Sequence, residues 1–150
     1  MATVLPKNVT TLIIKRTFDA SRERVFEAWT KPELLKEWFA PAETHHVPIA
    51  TIDFRVGGTY RFGIQSKENG KLSVAKGLYR EIRPPEKLVF TWTWEGQESL
   101  DTLVTIEFRE LGKATEVMLK HESFPDPETR NTHSAGWDGC LDRLAKIMQS

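Results

Sequence analysis

At 150 residues the chain has the length of one ordinary domain and no room for two independent cores. Lys plus Arg number 21 and Asp plus Glu number 21, so the formal net charge is zero and no basic excess speaks for nucleic acid as a partner. Cys140 is the only cysteine, which excludes an intramolecular disulfide and a cysteine-based zinc site.

The chain is expected to be one domain over residues 1–150, with 1–10 as a flexible lead-in. Met1 to Thr10 carries neither the basic start nor the apolar run of a secretory leader, and no apolar stretch approaches the ~18 residues of a membrane helix. A cytoplasmic location with no membrane span is the expectation. Residues 11–18, rich in β-branched side chains, read as a first strand. Ser21 is a good N-cap for a short helix that places Val25, Phe26 and Trp29 on one face. Thr30 is expected to cap a second short helix, with Pro32 in its first turn and Leu34, Leu35 and Trp38 as its apolar stripe. Pro41 and Pro48 bracket an expected loop that contains His45 and His46.

From Ile49 to His121 the pattern is that of strands. Ala50, Ile52 and Phe54 alternate with polar residues, and Gly57-Gly58 marks a turn or bulge. Tyr60, Phe62 and Ile64 share a face after it, and Asn69-Gly70 predicts a tight hairpin. A long strand over 71–83 stops at Pro84-Pro85, which cannot donate to a ladder. Leu88, Phe90, Trp92 and Trp94 then alternate with Val89, Thr91 and Thr93. The strand over 100–109 puts Thr102, Val104, Ile106 and Phe108 on one side, and after Leu111-Gly112-Lys113 the last strand does so with Thr115, Val117, Leu119 and His121.

Pro125-Asp126-Pro127 ends the sheet and opens a long helix, expected from about Glu128 to Met148. Trp137, Cys140, Leu141, Leu144, Ile147 and Met148 recur at spacings of three and four, which is one buried face. The order is one strand, two short helices, a run of antiparallel strands and one long helix, and it indicates an α+β fold. A six- to seven-stranded antiparallel sheet needs one face covered, and a twisted sheet can curl around the last helix to achieve it. Gly57, Gly58, Gly63 and Gly77 are candidate bends for that curl. Between helix and sheet lies a volume that is either filled by side chains or open as a pocket.

Five segments carry a family resemblance: residues 16–29, Glu37-Trp-Phe-Ala-Pro41, Asp53-Phe-Arg-Val-Gly-Gly-Thr-Tyr60, residues 77–92 and Gly136-Trp-Asp-Gly-Cys-Leu-Asp-Arg-Leu144. In that order they resemble the START-like superfamily (SRPBCC, birch-pollen-allergen-like), and within it the bacterial homologues of the activator of the ninety-kilodalton heat-shock chaperone's ATPase. The resemblance implies a helix-grip fold. It also implies a choice of activities, because that superfamily binds lipids, sterols and polyketides and includes cyclases and chaperone partners.

Five Trp and eight Phe are a heavy aromatic load, for which a filled core and an aromatic-lined pocket are both open readings. On the pocket reading, Tyr60, Phe62, Phe90, Trp92 and Trp94 face the helix, and those near strand ends touch a ligand. Trp137 and, one turn earlier, His133 face them from the helix, while His121 is inward by parity of its strand. Gly136, before Trp137, is expected to mark a close approach to the sheet, since glycine lowers helix propensity by roughly 1 kcal/mol relative to Ala. Tyr79 could line the pocket or join Glu81 and Glu107 in an acid/base set, although Leu78 and Ile82 compete with it for the interior. His45-His46 lacks the spacing of a metal site, and Cys140 reads as a small buried hydrophobe.

The reading reached is non-enzymatic binding of an apolar or aromatic small molecule, lipid-like or polyketide-like, between Trp92/Trp94 and Trp137, with no metal or cofactor. The alternatives are a protein-interaction module directed at a chaperone, as the resemblance implies, and a cyclase or hydrolase acting on a hydrophobic substrate. The chain is expected to be a monomer or a homodimer.

Overall fold

The computed structural model describes residues 10–149, so nearly all of the expected flexible segment at 1–10 lies outside the described residues. Seven strands form one antiparallel sheet: β1 (Leu12–Phe18), β2 (His45–Ile52), β3 (Thr59–Ser66), β4 (Leu72–Arg83), β5 (Lys87–Trp94), β6 (Gln97–Leu111) and β7 (Ala114–Glu122). Their spatial order is β1-β7-β6-β5-β4-β3-β2, so each consecutive pair from β2 to β7 is a hairpin and only β1 joins out of sequence. Helices α1 (Arg22–Thr30) and α2 (Pro32–Leu35) follow β1, and α3 (Pro127–Met148) comes last. The curved sheet wraps α3, which is the helix-grip arrangement the strand order predicts.

Local chemistry explains the helix ends. Ser21 accepts a hydrogen bond from the Arg24 amide at 3.2 Å and starts α1, as expected of an N-cap. Thr30 does not cap α2. It is the last residue of α1 and donates its hydroxyl back to the Phe26 carbonyl at 3.1 Å, while Lys31 stands at the start of α2 without a side-chain cap. The second helix is a single turn, so Trp38 lies beyond it and is anchored instead by its indole, which donates to the Ala28 carbonyl at 2.9 Å. Asp126 caps α3 by accepting from the Thr129 amide at 2.7 Å, with Pro127 as the first helical residue. At the other end, the Arg24 guanidinium donates to the carbonyls of Met148 and Ile147 at 3.0 and 3.3 Å, satisfying acceptors that the helix leaves open.

The second strand differs from the sequence expectation at both ends, and β6 runs longer than the expected 100–109. His45 and His46 do not sit in a loop but begin β2, and Pro48 lies inside that strand. An edge strand tolerates the missing donor, and the register with β3 shifts between His46 and Ile49, around the proline. Phe54 falls past the end of β2, where it packs edge-on against Phe26 and Tyr79. In β4 a bulge between Tyr79 and Glu81 reverses the side-chain parity. Tyr79 and Ile82 therefore both reach the inner side while Leu78 points out, which resolves the competition that simple alternation leaves open.

The inner face carries the buried residues of β5, β6 and β7 in the expected register, from Leu88, Phe90 and Trp92 through Thr102, Val104, Ile106 and Phe108 to Thr115, Val117, Leu119 and His121. Against them α3 presents Trp137, Cys140, Leu141, Leu144 and Met148, while Ile147 is only partly buried. Arg16 of β1 ties the far side of the helix with ion pairs to Asp142 at 2.6 Å and Asp138 at 3.4 Å. Gly77 lets β4 approach β5 closely, because a Cβ there would strike the Thr91 carbonyl oxygen.

On α3 the tight glycine is Gly139, not Gly136. A Cβ on Gly139 would collide with the Pro41 carbonyl oxygen, whereas a Cβ on Gly136 would meet nothing within 4 Å. The segment after α2 thus runs against the helix at Gly139, and the helix surface at Gly136 is left open.

Candidate functional site

The open space beside Gly136 is a cleft of about 920 Å³ between the N-terminal half of α3 and strands β3, β4 and β5. That volume lies in the range of small-molecule sites, ~300–1,000 Å³. Its inner surface is made by Phe39, Trp92, Trp137 and Cys140. Trp94 and Ile64 from the sheet and His133 from α3 stand higher on the walls, and Lys71, Glu95, Gln97 and Glu128 surround the mouth. A second hollow of about 410 Å³ continues it along the β3–β4 hairpin and shares Pro41, Ile64, Lys71, Ser73 and Trp94.

The aromatic rings form one connected array. Trp92 lies with its ring centroid 5.3 Å from Trp137 and 5.4 Å from Trp94, and Phe39 reaches both Trp92 and Trp137 at about 6 Å. Such offset and edge-on pairs contribute beyond area burial alone. They also give the cleft an apolar floor, in which Trp92 and Trp137 pack on each other, on Phe39 and on His121.

Two histidines brace this array. Trp94 donates its indole N–H to His133 Nε2 at 2.9 Å, and His133 Nδ1 lies 2.8 Å from the Thr129 carbonyl. A carbonyl only accepts, so Nδ1 carries the proton and Nε2 is the free acceptor. Trp137 donates to His121 Nδ1 at 3.1 Å, and His121 Nε2 lies 2.8 Å from Thr102 Oγ1. Thr102 donates its one hydroxyl proton to the Trp92 carbonyl at 2.8 Å and so accepts from His121, which must carry its proton on Nε2. The two imidazoles, with ring centroids 5.5 Å apart, hold opposite tautomers and both are neutral. Burial, and after it the neighbouring His133, pushes the His121 pKa well below the ordinary histidine value. Burial also lowers that of His133, partly offset by its bond to Thr129.

Four of the nine residues expected at a ligand site line the cleft together: Trp92, Trp94, His133 and Trp137. The other five lie behind it. His121 is fully buried and reaches the cleft only through Trp137. Tyr60, Phe62, Tyr79 and Phe90 form a layer of tilted and edge-on rings in the core, with Tyr60 and Tyr79 away from the β3–β4 turn, and with centroids of neighbouring rings 4.6–6.0 Å apart. Tyr60 spends its hydroxyl on the Thr91 carbonyl at 2.6 Å, and burial raises the pKa of both tyrosines. The acid/base set does not assemble: Glu81 pairs with Arg83 and Lys87 at the surface, and Glu107 is exposed.

Cys140 is buried at the cleft floor, where burial pushes its thiol up to about 12 and keeps it protonated. Among the described residues no cluster of three potential metal ligands occurs, and no helix is long and apolar enough to cross a membrane. Sequence reasoning missed Phe39, Ile64, Cys140 and the hairpin residues 71–74 as lining. Ile64 is in phase with Tyr60 and Phe62, and Cys140 is one turn past Trp137, so both carried a signal. The hairpin residues carried none.

Residues 19–149 match the family model described as "Activator of Hsp90 ATPase homolog 1-like protein". Solved structures with the same fold include protein CV1439 from Chromobacterium violaceum, 27% identical with a TM-score of 0.82 over 91% of this chain and 96% of that one. The AHSA1 (SPO3351) protein from Silicibacter pomeroyi is 25% identical with a TM-score of 0.82, covering 93% of this chain and 97% of that one. CalU16 from Micromonospora echinospora is 26% identical with a TM-score of 0.70, covering 92% and 75%. No curated protein matches the chain.

Proposed function

The chain belongs to the Activator of Hsp90 ATPase homolog 1-like family, and we propose that it binds an apolar or aromatic small molecule in the cleft between α3 and the sheet, without catalysing a reaction on it. The observation that carries this reading is the cleft itself, about 920 Å³ with Trp92, Trp94 and Trp137 along its floor and wall. Each 100 Å² of apolar ligand surface removed from water there would contribute about 2.5 kcal/mol. Flat indole faces suit rings and acyl chains, and the polar rim from Lys71 to Glu128 suits a mouth that stays wet.

The chemistry of the walls supports binding over turnover. Both histidines use both ring nitrogens within the protein. The Cys140 thiol stays protonated, and the Glu81 and Glu107 carboxylates sit outside the cleft. A general acid or base needs a free nitrogen or oxygen within reach of the substrate, and these groups do not offer one.

Native mass spectrometry against a panel of hydrophobic compounds tests the reading. One-to-one complexes that survive transfer, with mass recovered unchanged on release, are the expected result. Release of a chemically altered compound would replace binding with catalysis, and failure of every compound to form a complex would remove the reading.

A further inference from the structure

Trp94 and His133 line the cleft from its two sides, β5 and α3, and the Trp94 indole donates to His133 Nε2 at 2.9 Å. Trp94 also belongs to the wall of the second hollow, so one ring borders both spaces. The other nitrogen of His133 donates to the Thr129 carbonyl at 2.8 Å, which leaves Nε2 as the one place for a further proton. His121 is fully buried, and a charge on it would sit among Trp92, Phe124 and Trp137. His133 is half-buried and borders the open space, so it is the imidazole that a proton reaches first.

Two consequences of that proton act in the same direction. Nε2–H would face the Trp94 N–H, donor against donor, and the bond that holds this wall would be lost. The imidazolium would also need water, which an apolar guest in the cleft takes away. Proton and guest therefore oppose one another, and by linkage each weakens the other's binding by the same factor. The charged groups around His133 have other partners or stand at the mouth. Asp126 accepts from the Thr129 amide, Glu95 pairs with Arg61, and Arg130, on the same helix, donates to Asn131. Lys71 and Glu128 border the mouth, and β7 presents the neutral His121, its ring centroid 5.5 Å away.

We propose that His133 makes occupancy of the cleft respond to pH: protonation of its Nε2 unlatches Trp94 and expels the guest. The inference rests on the cleft being a ligand site, and it makes His133 the positioning residue of Trp94. Burial, partly offset by the bond to Thr129, holds the His133 pKa below the ordinary histidine value. The ring is therefore neutral and the wall closed at pH 7, and release belongs to pH values below about 6.5.

A pH titration of the ¹⁵N-labelled, unliganded chain from 7.5 to 5.0 reads the latch by itself. The Trp94 indole signal should move with the ring nitrogens of His133, at one shared midpoint. N-phenyl-1-naphthylamine, uncharged over this range and fluorescent in apolar surroundings, then reports occupancy. Its Kd should be constant at the upper end and rise by up to about tenfold per pH unit below the His133 midpoint. In His133→Gln, whose side-chain oxygen can accept from Trp94 without titrating, that rise should flatten, whatever the affinity at pH 7.5. A His133 ring that stays neutral to pH 5.0, or a Trp94 signal unmoved through its midpoint, would overturn the inference and leave the cleft as a ligand site. So would a Kd independent of pH, or one with the same slope in His133→Gln as in the wild type. Absence of saturable binding at pH 7.5 would overturn both.

Discussion

The indole of Trp94, on the sheet, donates to Nε2 of His133, on the helix, at 2.9 Å. One turn further along the same helix the direction reverses, and the indole of Trp137 donates to Nδ1 of His121 on the sheet at 3.1 Å. These crossed bonds pin α3 to β5 and β7 at the head of the cleft, and both need a neutral imidazole. Protonation would turn either accepting nitrogen into a donor facing another donor.

The pH dependence of stability follows. In the unfolded chain His121 titrates near its ordinary value of about 6.5, while burial holds the folded value well below it. Above that pH neither state is protonated and the contribution to stability is complete. As pH falls below about 6.5 the unfolded state takes up a proton that the native state refuses, and stability drops by up to about 1.4 kcal/mol per pH unit until the folded value is reached. Denaturant midpoints measured between pH 7.5 and 5.5 should fall less in His121→Gln, which cannot titrate, than in the wild type. Parallel curves would count against the neutral, locked His121.

Thr102 is the hinge of the same network, 2% exposed with its hydroxyl shared between the Trp92 carbonyl and His121 Nε2. Thr102→Val keeps the shape and strands a buried acceptor and a buried donor. It should cost about 1–3 kcal/mol in equilibrium unfolding. The Trp137 N–H still donates to Nδ1, so the His121 proton should stay on Nε2, and the loss of its acceptor should show as a change in the Nε2 chemical shift alone.

The two glycines of α3 should answer oppositely to the same change. Gly136→Ala meets open space and improves helix propensity, so it should leave stability unchanged or raise it by up to about 1 kcal/mol. Gly139→Ala drives a methyl into the Pro41 carbonyl and should lower the melting temperature markedly. A thermal melt of both variants decides it, and equal behaviour would contradict the placement of the 39–41 segment against the helix.

Binding and stability should separate across the aromatic residues. Trp94→Ala removes a cleft wall but leaves His133 Nε2 facing open space, so ligand affinity should fall about tenfold or more with a smaller effect on folding. Tyr60→Phe breaks the bond to the Thr91 carbonyl inside the core, away from the cleft. It should cost about 1 kcal/mol of stability and leave affinity unchanged. Paired denaturation and ligand titrations on the two variants check both halves.

Most of the architecture is legible in the periodicity of the sequence. The alternation of Leu88, Phe90, Trp92 and Trp94 and the three–four spacing of Trp137, Cys140, Leu141 and Leu144 identify faces, because strands repeat every two residues and helices every 3.6. The same rule misplaces what breaks the period. The bulge after Tyr79 and the proline inside β2 have no counterpart in a parity count. The close approach falls at Gly139 and not Gly136 because it depends on where the 39–41 segment crosses the helix, which composition does not encode. Of the site, Trp92, Trp94, His133 and Trp137 could be named from face and position, whereas Lys71 to Val74 enter the lining because the fold sets them on the same cleft as the N-terminal half of α3. The tautomers of His121 and His133 depend on which carbonyl and hydroxyl lie opposite each nitrogen, and those partners are 4 to 19 residues distant.

Titration of intrinsic tryptophan fluorescence with a ring-bearing apolar compound reports on occupancy of the cleft, since Trp92, Trp94 and Trp137 all line it. Ligand binding there should give a saturable, one-to-one change in emission that is lost or strongly weakened in Trp94→Ala. A response that never saturates, or one that is unchanged in Trp94→Ala, would contradict it.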